Sequence, residues 1–260
     1  MSGTLIMAKL GIIQSRGLGD IIMALPIAKY YADNDYEVYW PICDSFYESV
    51  KDYAPRVKWI PIPTDGQGQF FYSEPMKRLK NFKCDEIICL YQALNVVPEL
   101  SKVPYFQMQK FDEFKYTKTG VPFLNKWKLN ECITRNPAKE QALYDQLVTN
   151  PNYVVYHTKG STYSCDADLS AVPDDWQRIE ITELPGYSIF DWLKVIEGAQ
   201  AAILLDSVFS NLVDQLLLDI DKYWIPRSHI HLTPVLGSTW TILEPPADSL
   251  AAHQIFSPGA

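Results

Sequence analysis

The stretch GIIQSRGLGDIIMALP, residues 11–26, decides how this chain folds. An apolar run leads into a short Ser-Arg-Gly-Leu-Gly loop, and an acid, Asp20, stands at the head of a second apolar run. The first run predicts a β-strand, and the second predicts a helix over residues 21–32. We expect Asp20 at the helix N-cap, where its side chain can accept from free backbone N–H groups. Gly17 and Gly19 allow a tight turn with room for a ligand.

Two kinds of ligand fit this turn. A phosphate group suits it because helix N-termini attract anions. A substrate hydroxyl also suits it, because the Asp20 carboxylate can act as a general base. The turn lacks both the GxGxxG spacing of dinucleotide-binding proteins and the GKS/T of a P-loop. This stretch alone does not decide whether the turn binds a phosphate or a substrate hydroxyl.

Strand-like and helix-like segments alternate along the rest of the chain. After the opening strand, β-rich runs stand at 36–40, 57–62, 86–90, 153–156, 178–181, 201–205 and 223–225. Such alternation predicts βαβ units with parallel sheets. We expect an α/β fold of two facing Rossmann-like domains with a cleft between them, the first over 1–135 and the second over 136–260. Ligands bind at the carboxyl ends of the strands in such sheets.

Composition excludes several classes of protein. The 260 residues are 47% apolar and 21% charged, which is ordinary for a soluble globular protein. No apolar run approaches the ~20 residues of a membrane span. The N-terminus does not read as a secretory signal, so we expect a cytoplasmic protein. Five scattered cysteines without CxxC spacing predict free thiols in a reducing compartment and no metal site.

Charge is distributed unevenly. The whole chain carries a net charge of -8, yet residues 76–135 hold eleven Lys and Arg against six Asp and Glu. Lysines such as Lys110 and Lys115 alternate with aromatic residues in an expected insertion at about 92–135. Interleaved cations and aromatic rings can bind a polyanion such as DNA. The same composition also suits a helical insertion packed on its own aromatic side chains.

Two loops of the second half suit a diphosphate. Lysine, glycine and hydroxyl groups follow the strand at 153–156 in the segment His157, Thr158, Lys159, Gly160 and Ser161. Such groups can hold phosphate oxygens. The strand at 201–205 leads into a helix whose start carries Asp206, Ser207, Ser210 and Asn211, and a helix start offers N–H groups to an anion. A plain βα loop and a simple helix cap remain alternatives.

Two of these segments resemble a known family, the ADP-heptose:lipopolysaccharide heptosyltransferases and related GT-B glycosyltransferases. The segment GLGDIIMALPIAKYY, residues 17–31, is similar to their N-terminal motif, in which Gly-Asp precedes apolar residues and Leu-Pro. The segment AAILLDSVFSNLVDQLLL, residues 201–218, resembles their Asp-Ser/Thr-Gly-x-x-His motif. Val208 stands where the family has glycine, and Asn211 stands where it has histidine.

The resemblance implies a metal-independent enzyme that takes its sugar from a nucleotide-diphosphate sugar and needs no other cofactor. Asp20 takes the position of the family's catalytic carboxylate, so we expect it to be the general base of an inverting transfer. The expected acceptor-binding residues belong to the first half: Arg16, Gly17, Gly19, Lys110 and Lys115. The expected donor-binding residues are those of the two diphosphate loops, His157–Ser161 and Asp206, Ser207, Ser210 and Asn211.

The sequence does not decide which acceptor receives the sugar. The compact length and the segment PVLGSTW, residues 234–240, suggest a phage-encoded enzyme, for which a hydroxymethylated base in DNA is a plausible acceptor. A lipopolysaccharide core is the alternative that the resemblance favours. A catalytically inactive nucleotide-sugar-binding protein is a second alternative, motivated by Val208 and Asn211. A Rossmann oxidoreductase is disfavoured because the dinucleotide fingerprint is missing.

Overall fold

The computed structural model describes residues 7–64, 68–92, 107–160, 163–226 and 234–243. The chain divides into two compact units, Met1–Thr134 and Arg135–Ala260. Each unit contains one parallel β-sheet with helices between its strands, so the predicted α/β class with two parallel sheets is confirmed. In the described ranges, no helix combines the length and the apolar character needed to cross a membrane.

The first unit is built on a four-stranded sheet of order β3-β2-β1-β4. Its strands and helices, in chain order, are β1 (Ala8–Ile13), α1 (Leu18–Asp33), β2 (Tyr36–Cys43), α2 (Asp44–Val50), β3 (Val57–Ile62), α3 (Ser73–Asn81), β4 (Glu86–Cys89) and α4 (Phe111–Thr119). Short 3-10 helices cover Gln69–Phe71, Phe123–Trp127 and Leu129–Glu131.

The chain reverses its direction across this sheet at β1. From β1 the chain moves outward through β2 to β3, and α3 then brings it back to β4 on the other side of β1. Where neighbouring connections diverge in this way, a crevice opens at the carboxyl ends of the strands. The loop after β1 and the residues after β4 therefore lie beside each other.

Close packing on both faces explains why residues 10–13 of β1 form an unbroken apolar run. Leu10, Ile12 and Ile13 are fully buried, and α1 buries every residue from Ile21 to Ala28. A Cβ added at Gly11 would lie 2.8 Å from Leu79 Cδ1 of α3, so the glycine lets this helix approach the strand closely.

The aromatic and basic segment after β4 folds against α1. The Tyr116 hydroxyl of α4 donates to the carbonyl of Met23 in α1 at 3.2 Å. Asp112 and Lys126 form a salt bridge of 2.8 Å in which neither side chain is exposed. This part of the predicted insertion is therefore packed structure. Residues 93–106 of it lie outside the described residues.

The second unit is built on a five-stranded sheet of order β6-β5-β7-β8-β9, parallel throughout. Its elements are α5 (Pro137–Leu147), β5 (Tyr153–His157), β6 (Gln177–Glu180), α6 (Leu193–Glu197), β7 (Ala201–Leu205), α7 (Val208–Gln215), β8 (Asp221–Ile225) and β9 (Thr241–Ile242). A 3-10 helix, Ile189–Trp192, leads into α6. The connections diverge between β5 and β7, which brings the loops after these two strands together.

Polar contacts hold the helices of the second unit in place. The carboxylate of Asp214 in α7 accepts from the Gly237 N–H at 3.0 Å and from Trp240 Nε1 at 3.0 Å. Arg135 pairs with Glu140 of α5 at 2.8 Å and with Glu197 of α6 at 2.6 Å. These contacts fix α7 to the segment that follows β8 and join α5 to α6.

Candidate active site

The loop after β1 is fixed by residues that follow other strands. The buried Ser15 hydroxyl donates to the Phe70 carbonyl and lies 3.2 Å from the Tyr91 hydroxyl. The backbone N–H of Arg16 donates to the same Tyr91 hydroxyl at 3.0 Å. Burial raises the pKa of Tyr91 well above its ordinary value, so the phenol keeps its proton. The backbone at residues 15 and 16 therefore has a rigid support.

The helix after this loop begins earlier than predicted. Gly17 is the N-cap of α1, and Asp20 lies in the first turn. The prediction of Asp20 as the N-cap is wrong, because Gly17, with a φ of 83°, already turns the chain into the helix. A Cβ at Gly17 would lie 2.7 Å from Asp20 Oδ2. The space that the glycine leaves is therefore occupied by the carboxylate of Asp20.

Asp20 forms an ion pair with Lys115 of α4. Asp20 Oδ1 lies 2.8 Å from Lys115 Nζ, and the same ammonium lies 3.5 Å from the Leu90 carbonyl at the end of β4. The lysine is 3% exposed, whereas the Asp20 side chain is 34% exposed. The carboxylate is thus anchored on a buried cation while part of its surface stays open to a substrate.

Arg16 presents a cation in the loop that precedes α1. Its guanidinium carbon lies 5.4 Å from the centre of the Phe70 ring, a distance typical of a cation–π contact. The residue is exposed, and it forms no ion pair with a carboxylate of the described residues. An exposed guanidinium that rests on an aromatic ring is well placed to bind phosphate or carboxylate.

Only some of the described lysines of the basic segment are exposed cations. Lys115 and Lys126 are buried, and each pairs with a carboxylate, Asp20 and Asp112 respectively. Lys110 is half-buried at the N-cap of α4. The predicted contact of Lys115 with an acceptor does not fit this burial, since its charge is already neutralised inside the protein.

In the second unit, the ends of β5 and β7 are joined by His157 and Ser207. His157 Nδ1 lies 3.0 Å from the Ser207 hydroxyl, which also accepts from the Phe209 N–H as the N-cap of α7. His157 is 7% exposed. Burial lowers its pKa to about 4, and the Glu180 carboxylate offsets a smaller part of that shift. The imidazole is therefore neutral near pH 7.

The other predicted donor-binding residues at and before the start of α7 are buried. Ser210 Oγ donates to the Ser207 carbonyl and accepts from the Ser207 N–H, both at 2.9 Å. Asn211 Nδ2 donates to the same carbonyl at 2.8 Å. Asp206 is buried at the end of β7. These three buried residues shape the loop, whereas Ser207, the fourth predicted donor-binding residue here, is half-exposed.

The loop after β5 offers one exposed cation. Lys159 pairs with Glu180 of β6 at 2.9 Å, with the lysine side chain 68% exposed. Thr158 is buried, and its carbonyl accepts from the Cys165 N–H at 3.0 Å. The Gly160 N–H donates to the Tyr163 carbonyl at 2.7 Å. Ser161, the last predicted residue of this loop, lies outside the described residues.

Sequence reasoning missed three residues that organise these loops: Phe70, Tyr91 and Glu180. Tyr91 lies two residues after β4 and directly follows the strand predicted at 86–90, which is a usable signal for it. Glu180 is the last residue of β6 and lies inside the strand predicted at 178–181. Phe70 carries no such signal, because its carbonyl reaches Ser15 from a short 3-10 helix that the sequence does not predict.

The described residues contain no group of three or more His, Cys, Asp or Glu side chains that could hold a metal ion. All five cysteines are free thiols: Cys43, Cys84, Cys89, Cys132 and Cys165. Burial raises the pKa of each of these thiols, Cys132 to about 12. None of them has the lowered pKa of a reactive cysteine.

Fold and site together define a two-unit α/β protein whose polar loops gather at the carboxyl ends of parallel strands. Among solved structures, the chain is similar to the glycosyl transferase family 9 protein from Veillonella parvula DSM 2008. Their identity is 12% and the TM-score 0.61, over 94% of this chain and 89% of that one. It is also similar to the iron-containing dodecameric glycosyltransferase TibC from enterotoxigenic E. coli H10407. That match has 10% identity and a TM-score of 0.53, over 90% of this chain and 62% of that one.

E. coli heptosyltransferase WaaC with ADP is a more distant match, with 15% identity and a TM-score of 0.49 over 95% of this chain and 98% of that one. No model of a protein family matches the sequence, and no curated protein matches it either. The predicted resemblance to glycosyltransferases is confirmed at the level of the fold, which the chain shares with the Veillonella protein.

Proposed function

We propose that this chain is a glycosyltransferase that moves a sugar from a nucleotide-diphosphate sugar to an acceptor hydroxyl, with Asp20 as the general base. The observation that carries the proposal is the partly open carboxylate of Asp20, anchored by Lys115 at the carboxyl end of β1. A general base must be both fixed and reachable. The glycosyltransferase fold of the Veillonella protein supports the reaction class.

The donor belongs to the second unit in this proposal. The Ser207 hydroxyl can donate to a diphosphate oxygen, and the exposed Lys159 can leave Glu180 to neutralise the diphosphate. The neutral ring of His157 holds the serine hydroxyl in position. Thr158, Gly160, Asp206, Ser210 and Asn211 complete the two loops and support their backbone, and Ser161 is a further proposed contact of the donor. These residues supply fixed polar groups toward the charge that develops on the leaving diphosphate.

The acceptor belongs to the first unit. Its hydroxyl proton passes to Asp20, and its oxygen attacks the anomeric carbon as the bond from that carbon to the diphosphate breaks. The bonding electrons leave with the nucleoside diphosphate. A base on the side opposite the leaving group produces inversion at the anomeric carbon, so the sequence-based expectation of two facing units is part of this proposal.

The acceptor that the site favours is an anionic saccharide. Arg16 is an exposed cation in the loop that leads into the helix of Asp20, so it can bind a phosphate or carboxylate of the acceptor. A lipopolysaccharide-type core has this chemistry. A hydroxymethylated base in phage DNA is the less favoured acceptor, because burial of Lys115 and Lys126 removes two of the cations that a polyanion would need.

One observation favours a second candidate, a nucleotide-sugar-binding protein without transfer activity. Asn211 and Ser210, which were expected to hold the donor, bond instead to the backbone of Ser207. A donor site with fewer contacts can bind a nucleotide without activating it. Under this alternative, nucleotide sugars bind the protein and are not consumed.

A thermal-shift screen followed by acceptor mass measurement distinguishes the two candidates. ADP-, UDP-, GDP- and dTDP-linked sugars are screened for a rise in melting temperature, and those that bind are incubated with lipopolysaccharide-core saccharides or hydroxymethylated DNA. Transfer predicts a mass increase of one glycosyl residue on one acceptor class. Stabilisation by a nucleotide sugar, with no mass increase and no released nucleoside diphosphate, supports the binding protein.

A further inference from the structure

We propose that Lys115 is a positioning residue that sets the orientation of Asp20 for proton transfer. The inference rests on the proposed function, because the orientation of this carboxylate matters only if it takes a proton from a substrate. Lys115 was expected to bind an acceptor, and its burial assigns it to the carboxylate.

Lys115 joins three elements through one ammonium group. It extends from α4, lies 2.8 Å from Asp20 Oδ1 on α1, and lies 3.5 Å from the Leu90 carbonyl at the end of β4. With 3% exposure, the ammonium has little freedom to move. A cation held in this way fixes the position of the oxygen with which it pairs.

The second oxygen of Asp20 is confined by the backbone. Oδ2 lies over Gly17, so close that a Cβ there would be 2.7 Å away. One oxygen is therefore held by the lysine, while the other rests on a glycine at the start of α1. Oδ2, the oxygen outside the ion pair, is the one that receives the acceptor proton.

A second lysine–carboxylate pair in the same unit shows how a purely structural pair differs. Asp112 and Lys126 are also 2.8 Å apart, but both side chains are fully buried. In the Asp20–Lys115 pair, only the lysine is buried, and the carboxylate is 34% exposed. Burial of the cation with exposure of the anion is what a substrate-facing base requires of its support.

The test compares three variants in a reaction that needs no identified acceptor. Release of nucleoside diphosphate from ADP-heptose, UDP-glucose, GDP-mannose and dTDP-rhamnose, with water as acceptor, gives kcat and KM for the donor. Lys115→Met removes the cation at similar length, and Lys115→Arg keeps it. Lys29→Met is the matched control, since Lys29 pairs with Asp33 at the far end of the same helix α1.

We expect Lys115→Met to lower kcat about 100-fold while KM for the donor changes less than about threefold, as for a small displacement of a catalytic group. Lys115→Arg should recover at least about a tenth of the wild-type kcat, and Lys29→Met should keep it. Circular dichroism confirms that each variant is folded.

Two results overturn the inference separately. In the first, the wild type releases nucleoside diphosphate and Asp20→Asn abolishes this release, but folded Lys115→Met keeps the wild-type kcat. Lys115 then does not position the base, and the proposed function stands. If the wild type releases nothing from any donor, the proposed function fails and the inference fails with it.

Discussion

The carboxylate of Asp20 has both a paired charge and an exposed surface. Its charge is paired with a buried lysine, while its exposed surface faces outward from the start of α1. Removing the carboxylate therefore changes the stability of the fold as well as any chemistry. Loss of activity in Asp20→Ala alone does not separate these two effects. They are separated by the neutral isostere Asp20→Asn, combined with the compensating change Lys115→Met.

Asp20→Asn is expected to destabilise the protein by about 2 kcal/mol, because Lys115 keeps its charge in a buried place without a carboxylate. The double variant Asp20→Asn with Lys115→Met should regain about half of that loss, since the uncompensated charge is gone. Urea unfolding followed by circular dichroism measures both values. A double variant with the summed losses of the two single variants would show that the pair has no energetic coupling.

His157 makes the stability of the second unit depend on pH. In the folded state its pKa is about 4, whereas in the unfolded chain it is near 6.5. Between these values the unfolded state binds the proton and the folded state does not, so stability falls as the pH is lowered from 6.5 toward 4. At pH 5 the loss from this group amounts to about 2 kcal/mol.

The substitution His157→Asn is expected to remove that part of the pH dependence, because an amide does not titrate. Unfolding free energies of wild type and variant, measured at pH 7.5 and pH 5, give the comparison. The gap between the two proteins should shift in favour of the variant by about 2 kcal/mol at the lower pH. An equal drop in both proteins would refute the assignment of a buried neutral imidazole.

At the scale of elements, α1 and α7 begin at similar places in their sheets but have different N-caps. Both helices begin where the connections of a parallel sheet diverge. α1 begins at a glycine that leaves room for the carboxylate, and α7 begins at Ser207, which forms a capping box with Ser210. The N-terminus of α1 therefore presents the carboxylate of Asp20, and the N-terminus of α7 presents the hydroxyl of Ser207.

The capping serine of α7 has a matched control in the same unit. Ser188 caps the 3-10 helix before α6 with a capping box of its own, completed by Asp191. Ser207→Ala and Ser188→Ala should each lower the free energy of unfolding by about 1 kcal/mol. Only Ser207→Ala should also weaken nucleoside diphosphate binding, by about five- to tenfold in Kd. Calorimetric titration with ADP and UDP checks this, and equal Kd values for both variants would exclude Ser207 from the donor site.

The buried pair between α4 and the following 3-10 helix is expected to behave as structure. Asp112→Asn and Lys126→Met should each cost about 3–5 kcal/mol, and the double variant should cost clearly less than their sum, because each single change leaves a buried charge. Thermal and urea unfolding measure these losses. Single variants with wild-type stability and weakened binding to DNA would instead place the two side chains at a binding surface.

For the whole molecule, the sequence was most informative where burial dominates. The strand predicted at 201–205 is observed as Ala201–Leu205, because an unbroken apolar run between polar turns can hardly lie elsewhere than inside a parallel sheet. The alternation of strands and helices likewise predicted both parallel sheets. The start of α1 was predicted too late, at Asp20, because the sequence contains two glycines before this residue. Only the backbone φ angle of Gly17 shows that this glycine is the N-cap.

Contacts between distant side chains could not be predicted. Nothing in the sequence near Lys115 indicates that it reaches Asp20, and its surroundings favoured an exposed cation. The inward orientation of Asn211 depends on the same kind of information, because an amide on the first turn of a helix can face a ligand or its own backbone. Residue types at strand ends located the candidate site, and the folded contacts assigned the individual roles.

Donor turnover by wild type and Asp20→Asn is the measurement that tests the central claim most directly. Release of nucleoside diphosphate is followed with a nucleotide sugar that stabilises the protein, and its affinity is measured in parallel. We predict turnover by the wild type, a rate about 10²–10⁴-fold lower for Asp20→Asn, and an unchanged donor Kd. Equal turnover by both proteins, or no turnover of a sugar that binds, would contradict the account.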